Sequence, residues 1–97
     1  MTVEEQAKKL AAQNKATESK ISEIYWFPDE KEVRLVEVLD ELPLQDSDEL
    51  EVIYFNPEPD MPHQMAIGLV HPRQFKRLTL PHAWGTWETG RKLEIAG

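Results

Sequence analysis

The chain has 97 residues, a mass of 11.3 kDa, a net charge of −7 and no cysteine. A chain of this size buries roughly two-thirds of its unfolded surface, which is enough for one domain with one modest core. The absence of cysteine excludes disulfides, thiolate metal sites and thiol nucleophiles. No apolar run reaches the length of about 20 residues that a membrane-spanning helix needs. Met1–Leu10 is charged where a signal peptide is apolar, so we expect a soluble, cytoplasmic protein.

The negative charge is concentrated in the middle of the chain. Residues 21–60 hold thirteen acids against Lys31 and Arg34, a net charge of −11, whereas residues 61–97 carry a net charge of +3. This split is compatible with neutralisation inside one fold, with two partners of opposite charge, and with antiparallel self-association. A solvated acidic face that maintains solubility is the commonest role for such a charge.

Residues 2–17 predict a helix. Thr2 followed by Glu5 fits a capping box, and the alanines and lysines that follow are good helix formers. Leu10 is the only large side chain in a stripe made otherwise of Val3 and alanines, so the helix has little apolar surface for docking. We therefore expect a mobile terminal helix within residues 1–18, or one that is completed by a partner.

Four segments with strand character follow the helix. Ile21–Phe27 and Val33–Leu39 flank a short turn and predict a hairpin. Leu50–Phe55 and Met65–Val70 predict the third and fourth strands, with Gly68 marking a bulge or a close backbone approach. These segments predict a single small β-rich domain over residues 19–97.

The last quarter of the chain is less regular. It predicts one helical turn after Pro72, a short strand over residues 76–80, and a hairpin around Thr89-Gly90. Short connections between successive strands favour an antiparallel meander. The predicted fold class is α+β, an N-terminal helix followed by an antiparallel meander sheet of four to six strands.

No motif indicates an enzyme. The three histidines lack metal-ligand spacing, and the chain contains no Gly-x-Ser-x-Gly elbow, P-loop or dinucleotide fingerprint. Glu58, Asp60 and His63 offer mixed oxygen and nitrogen ligands, but carboxylates are common in such loops. We therefore predict no catalytic residue, no cofactor and no metal.

The charged segments suggest two opposite relations to nucleic acid. Phe75, Trp84 and Trp87 interleave with basic residues, as in single-strand binding proteins, but the net charge repels a polyanion, so direct binding is not expected. In the alternative function, the acidic segment imitates nucleic acid and occupies the basic groove of a partner protein. That segment places six acids in twelve residues with no base: Asp40, Glu41, Asp46, Asp48, Glu49 and Glu51.

Both faces of the predicted sheet carry bulky apolar side chains. Trp26 points to one face, whereas Tyr25 and Phe27 point to the other, and Phe55 extends this pattern to the third strand. One thin helix cannot cover two faces, so either the C-terminal hairpin or another chain covers the second. We therefore predict a non-enzymatic protein-interaction or regulatory adaptor domain that self-associates as a homodimer. The candidate partner-binding residues are Trp26, Phe55, Trp84, Trp87, Asp46, Asp48 and Glu49.

Overall fold

The computed structural model describes residues 1–95 and combines one α-helix with one five-stranded sheet. The α+β class and a strand number between four and six are confirmed. The helix α1 spans Val3–Thr17, and two short 3-10 turns lie in the last quarter of the chain. The strands are β1 (Ile21–Trp26), β2 (Glu32–Leu39), β3 (Val52–Phe55), β4 (Gln64–Val70) and β5 (Arg91–Lys92).

The sheet is mixed, with the strand order β3-β4-β2-β1-β5. β1 is antiparallel to both β2 and β5, and β3 is antiparallel to β4, but β2 and β4 run parallel. The prediction of a purely antiparallel meander is therefore wrong. Parallel neighbours need a crossover of a dozen or more residues, and residues 40–63, which include β3, supply it.

The helix α1 begins with the predicted capping box and packs on β1 and β2. The Thr2 hydroxyl accepts a hydrogen bond from the Glu5 backbone at 3.1 Å, and the Glu5 carboxylate accepts one from the Thr2 backbone at 2.9 Å. The thin stripe around Leu10 is buried against the sheet. Mobility of this helix stays a prediction.

A buried amide fastens α1 to the loop before β4. Gln6 is fully buried, and its side-chain amide donates to the His63 carbonyl at 2.6 Å and accepts from the His63 N–H at 2.9 Å. The nitrogen and the oxygen of the Gln6 amide thus both have a hydrogen-bond partner within the buried contact between α1 and this loop. No local sequence pattern indicates this contact, because the two residues are far apart in the chain.

Residues 71–90 cover the second face of the sheet. Leu78, Leu80 and Trp84 are buried there against Val36 and Val70. The segment does so through turns, without the predicted strand over residues 76–80 or the predicted hairpin, and β5 pairs with β1 instead. Gly85 has a φ of +82°, which a residue with a side chain rarely adopts, and it ends the first 3-10 turn.

Aromatic side chains join this covering segment to the sheet. The ring of Phe27 lies 5.6 Å from Trp84 and 5.9 Å from Trp87, and Phe75 lies 4.7 Å from Tyr25. A Cβ on Gly90 would come within 2.7 Å of the Phe27 ring, so the chain passes this cluster at a residue without a side chain. The chain itself therefore closes the second face over the central strands, whereas Tyr54 on the edge strand β3 stays exposed.

This closure predicts a large loss of stability for Trp84→Ala. The change leaves a cavity under residues 71–90, and we expect the free energy of unfolding to fall by about 3–5 kcal/mol. Leu44 is half-exposed, so Leu44→Ala is the matched control and should change the value by less than about 0.5 kcal/mol. Urea denaturation measures both variants, and equal small effects would contradict a structural role for the covering segment.

Candidate functional site

A groove runs along the helix-bearing face of the sheet between α1 and β3. We call it the α1–β3 groove. Its volume is about 500 Å³, and β4 forms its floor through Met65, Ile67 and Leu69. A helix about 10 Å wide covers roughly two strands spaced at 4.8 Å. Because α1 packs on β1 and β2, the surface over β4 and β3 is left with a partial cover.

The outer wall of the groove is the edge strand β3. Ile53 and Phe55 point into the groove, whereas Tyr54 points to the opposite face. Ile53 is 52% exposed, Tyr54 59% and Phe55 40%, so three consecutive residues of β3 expose large apolar groups. The outer edge of β3 has no strand partner within residues 1–95.

A buried carboxylate faces the groove from β2. Glu37 is only 5% exposed, and the Asn14 amide donates a hydrogen bond to its Oε2 at 2.7 Å. Burial raises the pKa of Glu37 above the ordinary value of 4.5, and the Asn14 hydrogen bond opposes this increase. Its Oε1 receives no hydrogen bond from a side chain of residues 1–95, and no cation of these residues pairs with the carboxylate.

The alternation of the β2 sequence indicates that Glu37 is buried. Val33 and Leu35 share a face of β2 with residue 37, so strict alternation puts this glutamate on the helix-bearing face. A carboxylate on a face that is otherwise apolar is an exception to binary patterning, and such exceptions mark candidate sites.

The charge around the groove is entirely negative. Glu18 and Glu58 line it together with Glu37, and no Lys or Arg of residues 1–95 does so. Lys15 lies one turn before Glu18 on the helix side, but its ammonium donates to the Ile21 carbonyl. The groove thus combines a largely apolar lining with three carboxylates.

The predicted tryptophans lie away from this groove. Trp26 is buried in the core under α1, and Trp84 is buried in the core of the second face. Trp87 is partly buried, and its indole N–H donates to the Leu78 carbonyl at 2.7 Å. Among the predicted aromatic residues, Phe55 alone lines the groove. A partner-binding role for the three tryptophans stays a prediction.

The predicted acidic residues are exposed on the connection between β2 and β3. Asp46, Asp48 and Glu49 form no ion pair with residues 1–95. The backbone of Glu49 forms an isolated parallel β-bridge with Thr79. Glu49 also lines a shallow depression together with Tyr54, on the face opposite to the groove. Their role in binding a partner also stays a prediction.

The loop residues weighed as metal ligands have other contacts. Asp60 pairs with Lys9 at 2.8 Å, and the His63 ring lies 2.7 Å from the Met1 carbonyl. Within residues 1–95 no group of three histidines or carboxylates is placed to hold a metal. In the same part of the chain, no helix has the length and apolar character needed to cross a bilayer. The expected cytoplasmic location stays a prediction.

No protein-family model, curated protein or solved structure matches this chain. The function proposed for it therefore rests on the geometry and chemistry of the groove and its outer strand.

The raised pKa predicts that Glu37→Gln is more stable than the natural protein near neutral pH. The folded state holds the proton on Glu37 more tightly than the unfolded state, so the natural protein loses stability as pH rises from about 4.5 through the folded pKa. Glutamine keeps an oxygen for Asn14 and does not titrate.

Chemical denaturation of both proteins between pH 4 and pH 8 measures this effect. The difference in unfolding free energy should be small below pH 4.5, should grow as pH rises, and should level off above the folded pKa. All other titrating groups are common to the two proteins and cancel in the difference. A difference that does not vary with pH would show that Glu37 titrates alike in both states.

Proposed function

We propose that this protein is a non-enzymatic interaction domain that binds a partner chain at the β3 side of its sheet. The observation that carries the proposal is the exposure of Ile53, Tyr54 and Phe55 next to an apolar groove. Burying one such side chain from full exposure is worth roughly 1.5–3 kcal/mol, and these three are about half exposed, so a partner that covers all three gains roughly 2–4 kcal/mol before the costs of association. The lack of a catalytic motif in the sequence agrees with a binding role.

The residues at the two ends of β3 limit how many residues of another strand can pair with its edge. Exposed strand edges promote aggregation unless charges or prolines limit pairing. Glu51 precedes β3 and Pro57 follows it shortly afterwards. Strand pairing at this edge is therefore limited to the few residues of β3, which favours a specific interface over open-ended aggregation.

The charge near β3 favours a basic partner. No Lys or Arg lies between Arg34 and Arg73, a stretch that includes β3, β4 and nine carboxylates. A positively charged partner is attracted to this side of the molecule, and the attraction raises the association rate more than it raises the affinity.

The homodimer predicted from the sequence is the second candidate. Antiparallel pairing of β3 with its copy would continue the sheet and bury Ile53 and Phe55 of both chains. The same pairing brings Glu51 and Glu58 of two chains with a net charge of −7 to one interface. Self-association should therefore strengthen as added salt screens this repulsion, whereas binding of a basic partner should weaken.

The nucleic-acid mimic stays the alternative function. Exposure of Asp46, Asp48 and Glu49 without ion pairs supports it, because unpaired surface carboxylates are available to a basic groove. Neutralising the three together, as Asp46→Asn, Asp48→Asn and Glu49→Gln, separates the two functions. The mimic loses its partner, whereas the interaction at β3 is kept with at most a slower association.

Photo-crosslinking in extracts of the protein's own organism tests the β3 interface. With p-benzoylphenylalanine in place of Tyr54, we expect one discrete adduct, and none with the same group in place of Lys8 on the outer side of α1. Adding Ile53→Lys should reduce the Tyr54 adduct about tenfold, as loss of an interface anchor does.

The mass of the adduct identifies the class of partner. Twice the mass of the chain indicates the homodimer, and any other mass indicates a different protein. If the yield from Tyr54 does not exceed that from Lys8, and light scattering finds only monomer at high concentration, the proposed function is wrong.

A further inference from the structure

We propose that the α1–β3 groove receives an amphipathic helix of a basic partner protein, whose Lys or Arg side chain pairs with Glu37. This inference rests on the proposed function and names the class of partner. Its basis is the incomplete helix layer on one face of the sheet, together with the only carboxylate buried within that layer among residues 1–95.

The open part of the groove lies beside α1, on the side of β3. The helix α1 packs on β1 and β2, and Met65 and Ile67 of β4 are buried in the same core, so the open part of the groove lies over Leu69 and the strand β3. The wall formed by Leu10, Gln13 and Thr17 provides the flank of a neighbouring helix. A helix in this position meets Ile53 and Phe55 with one side and α1 with the other.

A strand added to the edge of β3 cannot reach Glu37. Such a strand lies three strand spacings from β2, or about 14 Å, and an extended Lys side chain spans only about 6 Å. An occupant that contacts the carboxylate must therefore lie on the sheet face, over β4. This geometry favours helix-in-groove recognition over strand addition.

The carboxylate of Glu37 can accept a hydrogen bond from a cation outside the chain. Asn14 donates one hydrogen bond to the carboxylate, and its Oε1, which is not enclosed in the core, is open to a further donor. The charged groups around the groove do not supply a cation: Glu18, which follows α1, and Glu58, beyond β3, are acidic, and the nearby Lys15 is bound to backbone. A Lys or Arg in the apolar stripe of the partner helix supplies both the donors and the positive charge.

The exposed surface extends beyond what a small cationic ligand can cover. Tyr54 lies on the opposite face of β3, outside the groove, yet it is 59% exposed and adjacent in the chain to both groove-lining residues of that strand. A helix that continues into the rest of a folded partner can cover both faces of β3, whereas an alkylamine fills the groove only.

Synthetic peptides test the partner class directly. We use four amphipathic helical peptides of fourteen residues, made of leucine and lysine. Each peptide carries one additional Lys, at a different one of four successive positions in the apolar stripe. Matched peptides carry norleucine at the same positions. Isothermal titration measures affinity in 150 mM salt, and the methyl NMR signals of Ile53, Ile67 and Leu69 report whether the peptide occupies the groove.

We expect at least one Lys peptide to shift these methyl signals and to bind at least about tenfold more tightly than its norleucine match, within the range measured for close interfacial charge pairs. Glu37→Gln should remove this difference. Glu30→Gln removes the same charge from an exposed turn away from the groove and should change affinity less than about twofold.

Each remaining outcome contradicts a defined part of the proposal. Equal binding of Lys and norleucine peptides overturns the pairing with Glu37. If no peptide shifts the methyl signals, helix docking is overturned, and octylamine binding that depends on Glu37 would then identify a small cationic ligand. A Tyr54 adduct obtained despite failed peptide binding preserves the interaction domain and removes only the helical partner, so the two proposals fail separately.

Discussion

One helix is too narrow to cover a sheet of five strands, and this constraint determines most of the structure. A helix covers about two strands, and the chain has only one α-helix within residues 1–95 to place on one face of its sheet. With α1 over β1 and β2, the core beneath it is closed at Trp26, Val33 and Leu35. The same placement leaves β4 partly covered and β3 exposed, so the groove is a direct consequence of the core.

The two faces of the sheet are completed in different ways. On the second face, residues 71–90 follow an irregular path and fill the surface with Leu78, Leu80 and Trp84. On the helix-bearing face, Gln6 fixes the start of α1 to His63 through two hydrogen bonds. Because this contact joins the helix to the loop before β4, it holds one wall of the groove at a set distance from its floor.

Local patterns predicted the individual elements more accurately than their arrangement. Thr2 and Glu5 identify the start of α1, and runs of β-branched residues locate the first four strands to within two residues at each end. The parallel pairing of β2 with β4 depends on the path of the intervening chain, and no local pattern encodes it. The path of residues 71–90 over the second face was not predicted, because turns lack the periodic pattern of apolar residues that identifies helices and strands.

The candidate site was only half predictable for the same reason. Phe55 was identified because alternation places it on an apolar face, but its proximity to α1 depends on the mixed strand order. Glu37 lies in a strand that was correctly located, and its burial follows from the same alternation that places Val33 and Leu35 in the core. The three tryptophans were predicted as partner-binding residues because of their size. In a small domain, however, large aromatic groups are needed first for the core.

Glu37 links the stability of the free protein to its proposed binding. In the free chain the buried carboxylate opposes folding at neutral pH, because burial disfavours its charged form. A hydrophobic side chain at this position would complete the core without that cost, but it would offer nothing to a cation. A partner that brings a positive charge relieves the cost, and because it binds the folded state alone, it stabilises the fold by an amount that grows with the logarithm of its affinity. The position that weakens the isolated core is therefore the position at which a partner gains the most.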